Sequence, residues 1–156
     1  MEFDEFEALV ERIRAEQRTR ILPEGFQVFD SWKASEAQIA HAEKSLGVQL
    51  PLKYKRFMTL YGGGVFKFVE LLPIISPSPR DENLVAVNEG YFHEAGFIAV
   101  APVGTGDWWG FTVHGDRCGD TVDFWGHEEG SVEPSMMDFL EFLVRKGLNS
   151  SLRTDF

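Results

Sequence analysis

The residues Val103–Gly110 read VGTGDWWG and combine three glycines, one carboxylate and two adjacent tryptophans in eight positions. Glycine-rich loops bind phosphate when their backbone N–H groups open a helix. Here WWGFTV alternates as a strand does, no Walker lysine follows, and the carboxylate of Asp107 would repel a phosphate. We therefore predict that these glycines shape a turn between two strands and that phosphate binding is disfavoured.

Two further stretches contain side chains that ligate metals. His114, Asp116 and Cys118 are close in sequence, and so are the three residues of the segment 127–129, which reads HEE. Structural zinc sites usually show paired Cys and His spacings such as CxxC, and catalytic zinc sites show HExxH. The sequence contains neither spacing, so a metal site is the minority interpretation, and we expect neither a metal nor a cofactor.

The single cysteine, Cys118, is the candidate nucleophile and lies in the turn sequence GDRCGD. Its flanking aspartates would raise the pKa of the thiol rather than activate it. No serine occupies a GxSxG elbow. The 25 acidic residues give no basis for choosing the carboxylate pair of a glycosidase. An enzyme is a separate hypothesis, and it would require a deep pocket with converging titratable groups.

The 156-residue chain has a net charge of −10 and a pI of about 4.8. Binding to nucleic acid or to an anionic membrane requires clustered Lys and Arg, so neither is expected. An acidic domain suits a basic protein partner, and solubility alone is an equally weighted explanation. Much of the positive charge is concentrated in the segment 44–56. Between residues 107 and 138 the acids are Asp107, Asp116, Asp120, Asp123, Glu128, Glu129, Glu133 and Asp138, against the single base Arg117.

The cysteine content and the N-terminal sequence indicate a cellular compartment. One cysteine excludes an internal disulfide and fits a reducing environment. The opening sequence MEFDEFEALVERIR is acidic and amphipathic and lacks the basic and apolar regions of a secretory signal. No apolar run approaches the ~20 residues that a membrane span requires. We expect a soluble, cytoplasmic protein.

Strand alternation indicates which side chains could contact a partner. If Trp109 and Phe111 face the core, Trp108 lies on the opposite face, and the same argument places Asp123 and Trp125 there. An exposed tryptophan ringed by carboxylates has the composition of an interface anchor. The alternative is that a helix, a loop or a second core covers these residues. The candidate partner-binding residues are Asp107, Trp108, Asp123, Trp125 and Glu128.

Helix signals occupy most of the first sixty residues. Apolar residues recur at helical spacing in an N-terminal segment: Phe3, Phe6, Leu9 or Val10, and Ile13. Residues 21–33 are predicted to be an irregular connection. Ser35 and Gln38 have the spacing of a capping box, and Gly47 is placed as a left-handed C-terminal residue. Pro51 fits the first turn of the next helix, which the glycines from Gly62 onward stop.

The second half of the chain is predicted to be mainly β-structure. Residues 65–75 indicate one strand, and residues 84–91 suit a short helix or a strand, of which we favour the helix. Three antiparallel strands are predicted at Phe97–Val103, Trp108–Val113 and Thr121–Trp125. Ser135 and Asp138 resemble another capping box, before a last helix that ends near Gly147. The apolar stripe of that helix would be Met136, Phe139, Leu140, Leu143 and Val144.

These elements predict a single α+β domain over residues 1–156, with helices packed on one face of a mostly antiparallel sheet. An N-terminal helix and connection would occupy residues 1–30, and the core would span about residues 30–148. The segment Ser35–Gly64, SEAQIAHAEKSLGVQLPLKYKRFMTLYGGG, resembles the signature of the SUKH superfamily of Smi/Knr-like domains. The matching residues are Ile39, Glu43, Leu46, Gly47, Leu50, Pro51, Tyr54, Phe57, Gly62 and Gly63.

The resemblance spans roughly residues 30–145, since FIAVAPVGTGDWWGFTV is similar to the strand, Gly-Asp turn and strand of that superfamily. The stretch Ser135–Val144 also resembles its closing helix. The chain departs from the signature at Tyr61, where an asparagine is usual. These motifs specify a fold better than an activity.

The resemblance implies a non-enzymatic binding protein. Bacterial members are typically immunity proteins that oppose toxins, often nucleases, and fungal relatives regulate cell-wall synthesis and signalling. The acidic charge agrees with the first role, because the active-site face of a nuclease is usually basic. We therefore expect a basic toxin domain as the partner, and the alternative is a scaffold or regulatory module with a partner that is not a toxin.

Overall fold

The computed structural model describes residues 1–18, 32–66, 68–76 and 82–148. They form the predicted α+β fold, with a five-stranded antiparallel sheet and a small two-stranded sheet. The helices are α1 (Phe3–Arg18), α2 (Glu36–Leu46), α3 (Leu52–Leu60), α4 (Leu84–Asn88), α5 (Tyr91–Glu94) and α6 (Phe139–Phe142), which continues as a π-helical turn over Leu143–Gly147. The strands are β1 (Gly64–Phe66), β2 (Val69–Leu71), β3 (Phe97–Pro102), β4 (Trp108–His114), β5 (Arg117–Cys118), β6 (Thr121–Gly126) and β7 (Ser131–Asp138).

Helix α2 has the caps that its sequence predicts. The Ser35 hydroxyl accepts a hydrogen bond from the N–H of Gln38 at 3.1 Å, and the Gln38 side chain accepts one from the N–H of Ser35 at 3.0 Å. Gly47 ends the helix with a φ of 67°, which a residue with a Cβ rarely adopts. The predicted apolar face of α1 is also confirmed, because its buried residues are Phe3, Phe6, Val10 and Ile13.

The prediction of one strand over residues 65–75 is wrong, because the chain folds back on itself within that run. β1 and β2 pair antiparallel, with Gly64 opposite Leu71. The hairpin buries Phe66 and Leu71 in one core, which a single straight strand could not do. The favoured helical assignment for residues 84–91 is confirmed by α4 and α5. Most of the predicted connection at residues 21–33 lies outside the described residues, as does most of the loop before α4.

The larger sheet has the order β3–β4–β6–β7, with β5 paired to the end of β4. All its pairings are antiparallel, and the three predicted strands are present. Residues 103–107 form the turn between β3 and β4, as predicted for VGTGDWWG. Gly104 and Gly106 have φ values of 95° and 94° in this turn, so both use a conformation that favours glycine.

The predicted capping box at Ser135 is wrong, because Ser135 lies in β7 rather than before a helix. Asp138 is the actual cap, and its carboxylate accepts a hydrogen bond from the N–H of Glu141 at 2.9 Å. The Ser135 hydroxyl instead donates to the carbonyl of Val122 across a bulge. Met136 lies at this bulge with a φ of 65° and is 81% exposed, so it does not belong to the apolar stripe.

The larger sheet has apolar side chains on both faces. One face, carrying Phe111 and Val122, packs on the main core formed with α1, α2, α3 and α6. The opposite face carries a smaller cluster of Phe97, Ala99 and Trp125, against which Phe92 of α5 packs. The sheet is therefore covered by helices on one face and partly covered by α5 on the other.

Across the described parts of the chain, no helix combines the length and the apolarity that a membrane span needs.

Candidate partner-binding surface

Asp107 joins the two turns at one end of the larger sheet. Its carboxylate accepts hydrogen bonds from the Thr105 hydroxyl at 2.8 Å and from the backbone N–H of His127 at 2.9 Å. The Nδ1 atom of the His127 ring lies 2.7 Å from the same carboxylate. The β3–β4 turn is thereby fixed to the β6–β7 turn by one side chain.

These contacts control the ionisation of Asp107. The backbone N–H of His127, then its side chain, then the Thr105 hydroxyl stabilise the charged carboxylate and lower the pKa of Asp107 to about 2. Asp107 therefore carries its negative charge throughout the physiological pH range. The residue is partly exposed, so this charge is presented to solvent at the rim of the sheet.

The two turns enclose an open cleft of about 420 Å³, which we call the acidic cleft. Besides Asp107 and His127, it is lined by Thr105, Phe124, Gly126, Glu128, Glu129, Ser131 and Glu133. Glu128, Glu129 and Glu133 are exposed, while Phe124 is half-buried. The arrangement offers fixed negative charge with an aromatic side chain among the lining residues, which suits a cationic side chain from a protein.

The two tryptophans predicted to share a face do so. Trp108 of β4 lies directly opposite Trp125 of β6. Trp125 is only 8% exposed, because the rings of Phe92 and Tyr91 pack against it at centroid distances of 5.1 and 5.7 Å. Trp108 is half-buried, with Phe92 at 5.6 Å. Trp125 is therefore covered by a helix, as in the alternative to an exposed interface anchor. Trp108 reaches the surface.

Asp123 lies on the same face but is buried. It is 8% exposed, and its carboxylate accepts a hydrogen bond from the Thr112 hydroxyl at 2.5 Å. Asp107, Trp108 and Glu128 are therefore the predicted residues that are accessible from outside. Asp123 and Trp125 are buried, and Trp125 is the strand neighbour of Trp108.

Sequence reasoning missed the elements that cover Trp125. Tyr91 and Phe92 open α5. Asn88, at the end of the preceding helix α4, makes two buried hydrogen bonds to Ala99 of β3 and a third to the carbonyl of Leu84 in its own helix. Tyr91 is 60% exposed although its ring contacts Trp125. The adjacent aromatic pair after Gly90 is a local signal for a contact residue, but which strand it packs on depends on long-range structure.

Cys118 is buried, and burial raises the pKa of its thiol to about 12. The raised pKa is as predicted, but its main cause is desolvation, followed by the charge of Glu43, rather than the neighbouring aspartates. Within the described ranges, no three His, Cys, Asp or Glu side chains are grouped so that they could hold a metal ion. His114, Asp116 and Cys118 are thus close in sequence without forming such a group.

Comparison with models of known protein families gives a match. The SUKH_6 family model, described as SMI1-KNR4 cell-wall, matches residues 36–143. The match includes α2–α6 and both sheets, and therefore contains the acidic cleft and the residues over Trp125. No curated protein matches the chain.

Proposed function

Since the chain belongs to the SMI1-KNR4 family of the SUKH superfamily, we propose that it is an immunity protein that binds and neutralises a cognate toxin domain. A nuclease is the expected toxin, because its substrate-binding face is basic and would be attracted to a strongly acidic surface. The proposed site of action is the cytoplasm, where a toxin that cleaves nucleic acid must be stopped.

The observation that supports this proposal is the acidic cleft at the end of the larger sheet, which Asp107, Glu128 and Glu129 line together. The half-buried Trp108 follows Asp107 directly in the chain. An interface usually has aromatic anchors surrounded by a polar rim. A basic toxin surface would meet several carboxylates here, of which Asp107 is already held in place by His127 and Thr105. Such a surface would compete with the nucleic acid for the toxin.

The lowered pKa of Asp107 disfavours a role as a general acid. A general acid needs a pKa raised towards neutrality, whereas the hydrogen bonds from His127 and Thr105 lower the pKa of Asp107 to about 2. Cys118 is buried and its pKa is raised, which disfavours the reactive thiolate. We accordingly propose that the protein acts without catalysing a reaction.

Co-expression with the toxin domain encoded beside its gene tests the proposal. Cells producing both proteins should survive, and the two should copurify. Glu128→Lys should weaken the complex by about tenfold, since it replaces an attractive charge at the rim by a repulsive one. Glu70→Lys is the matched control, because Glu70 is exposed on β2 and its reversal changes the net charge by the same amount. Survival without a physical complex would contradict the proposal.

A second candidate function is a scaffold or regulatory module with a partner that is not a toxin. The cell-wall description of the matching family favours it. Gene neighbourhood separates the two candidates, since an adjacent gene for a secreted multidomain toxin favours neutralisation. Protection from that toxin is expected only if the first candidate is correct.

A further inference from the structure

An apolar row crosses the less covered face of the larger sheet. Pro102 lies opposite Trp108, Trp108 opposite Trp125, and Trp125 opposite Val132. Directly opposed residues on neighbouring antiparallel strands project to the same face. We call these four residues the apolar row. Trp125 is covered, Val132 is 40% exposed, and Trp108 and Pro102 are half-buried.

Tyr91 connects the apolar row to the β6–β7 turn. Its ring packs on Trp125 and on Phe92, yet 60% of the residue is exposed. A Cβ added at Gly130 would lie 3.5 Å from the Tyr91 hydroxyl, so the ring extends to the end of the β6–β7 turn. A large aromatic side chain is therefore held by edge-to-face contacts with Phe92 and Trp125 while much of its surface is open to solvent.

The chain around this ring is acidic. The β6–β7 turn beside Tyr91 carries Glu128 and Glu129, both exposed. Glu89, which precedes α5, and Glu94, which ends it, are also exposed. The only Lys or Arg between residues 82 and 138 is Arg117. Arg117 pairs with His114 at the far end of β4, away from the turns. The charge of this face is thus complementary to a cationic occupant.

We infer that Tyr91 and Trp108 receive arginine side chains from a basic segment of the partner protein, and that Glu128 and Glu129 neutralise their charge. Arginine fits because its planar guanidinium is weakly hydrated, stacks on aromatic faces and forms paired hydrogen bonds with carboxylates. Lysine has the same charge but a compact, strongly hydrated ammonium group, so it gains less from the rings. This inference rests on the proposed function for the identity of the partner.

A second copy of the chain is a poorer occupant of this face. A two-fold symmetric contact would place the same patch against itself. Glu128 and Glu129 would then face their own counterparts, in a protein whose net charge is −10. Like charges brought together in this way oppose association.

Titration of the full chain with two synthetic peptides, octa-arginine and octa-lysine, tests the preference for arginine at equal charge. Octa-arginine should bind more tightly. Tyr91→Ala should weaken octa-arginine binding by about two- to fivefold and reduce the difference between the peptides, as expected for the loss of one exposed cation–π contact. Tyr91→Phe keeps the ring and should retain the affinity. Leu52→Ala is the control, because Leu52 is 78% exposed on α3, outside this face.

Equal affinities for the two peptides, or unchanged octa-arginine binding after Tyr91→Ala in a protein that melts as the wild type does, would overturn the inference. A dimer that Tyr91→Ala dissociates would also overturn it, because another copy would then occupy the face. The same variants titrated with the toxin domain separate the two proposals. Toxin binding that ignores Tyr91→Ala and Trp108→Ala overturns the inference alone. Arginine-selective peptide binding without any toxin complex supports the inference and contradicts the toxin assignment.

Discussion

Replacing Asn88 by alanine should destabilise the protein, because the Asn88 side chain joins α4 to β3. The Asn88 amide donates to the carbonyls of Leu84 at 2.9 Å and Ala99 at 2.8 Å, and its oxygen accepts from the N–H of Ala99 at 2.7 Å. Asn88 and Ala99 are both fully buried. Asn88 therefore satisfies both backbone groups of Ala99 on the outer edge of β3, where the sheet ends.

The magnitude follows from the two backbone groups that Asn88→Ala would leave without partners. Each buried group of this kind costs about 1–3 kcal/mol, and we expect a loss of about 3 kcal/mol in total after partial relaxation. For a chain of this size the loss corresponds to a decrease in Tm of about 6–12 °C. Asn88→Asp should be no better, because a carboxylate cannot donate to the two carbonyls.

Urea denaturation followed by circular dichroism measures the loss. Asn83→Ala is the matched control in the same helix, since Asn83 caps α4 through one hydrogen bond to the N–H of Ala86 at 2.8 Å. That variant should lose about 1 kcal/mol. If Asn88→Ala lowered the free energy of unfolding no more than Asn83→Ala does, the hydrogen bonds of Asn88 would not be what holds α4 to β3.

Three further predictions concern residues of the core and of the turns. Tyr54→Phe should leave the free energy of unfolding unchanged or raise it by up to about 1 kcal/mol, because the buried Tyr54 hydroxyl has no hydrogen-bond partner among the described residues; a loss above that amount in chemical denaturation would reveal a missed partner. Gly110→Ala should cost about 3 kcal/mol, since its Cβ would lie 2.1 Å from the Ile98 carbonyl oxygen; a wild-type Tm would show that this approach is not as close. The pKa of Asp107 is lowered to about 2, so its contribution to stability is fully present above the usual value of 3.8 and is lost as the pH falls towards 2. A carboxyl NMR titration should find that low pKa and a higher one in His127→Ala, which keeps the backbone N–H but loses the ring, and equal values in the two proteins would contradict the role of the His127 side chain.

The local signals in the sequence predicted the parts of the fold that depend on local structure. Ser35, Gln38 and Gly47 act within one helix, so their spacing was sufficient to place both ends of α2. The same kind of signal failed at Ser135, because a serine three residues before an acid is also compatible with a strand. Asp138, the second residue of that pair, is the real cap. β7 was not among the predicted strands. It contains Pro134, and proline is uncommon in strands except at a sheet edge.

The candidate surface could be predicted only in part, because its burial depends on residues that are distant in the chain. Alternation along a strand correctly placed Trp108 and Trp125 on one face, because the pleat has a fixed period of two. It gave no information about which of them a distant helix covers. Burial of Trp125 depends on Tyr91 and Phe92. These residues follow α4, which Asn88 links to β3 by hydrogen bonds to Ala99. Such contacts between distant parts of the chain leave no periodic pattern in the sequence.

The most direct test of the central proposal is calorimetric titration of the full chain with a catalytically inactive form of the toxin domain encoded beside its gene. We expect one stoichiometric complex whose affinity falls as the salt concentration rises, because the attraction is between exposed charges. Glu128→Lys should weaken that complex and Glu70→Lys should not. Absence of a complex in cells that are nevertheless protected would contradict neutralisation by binding, and an affinity independent of salt would contradict the role of the acidic cleft.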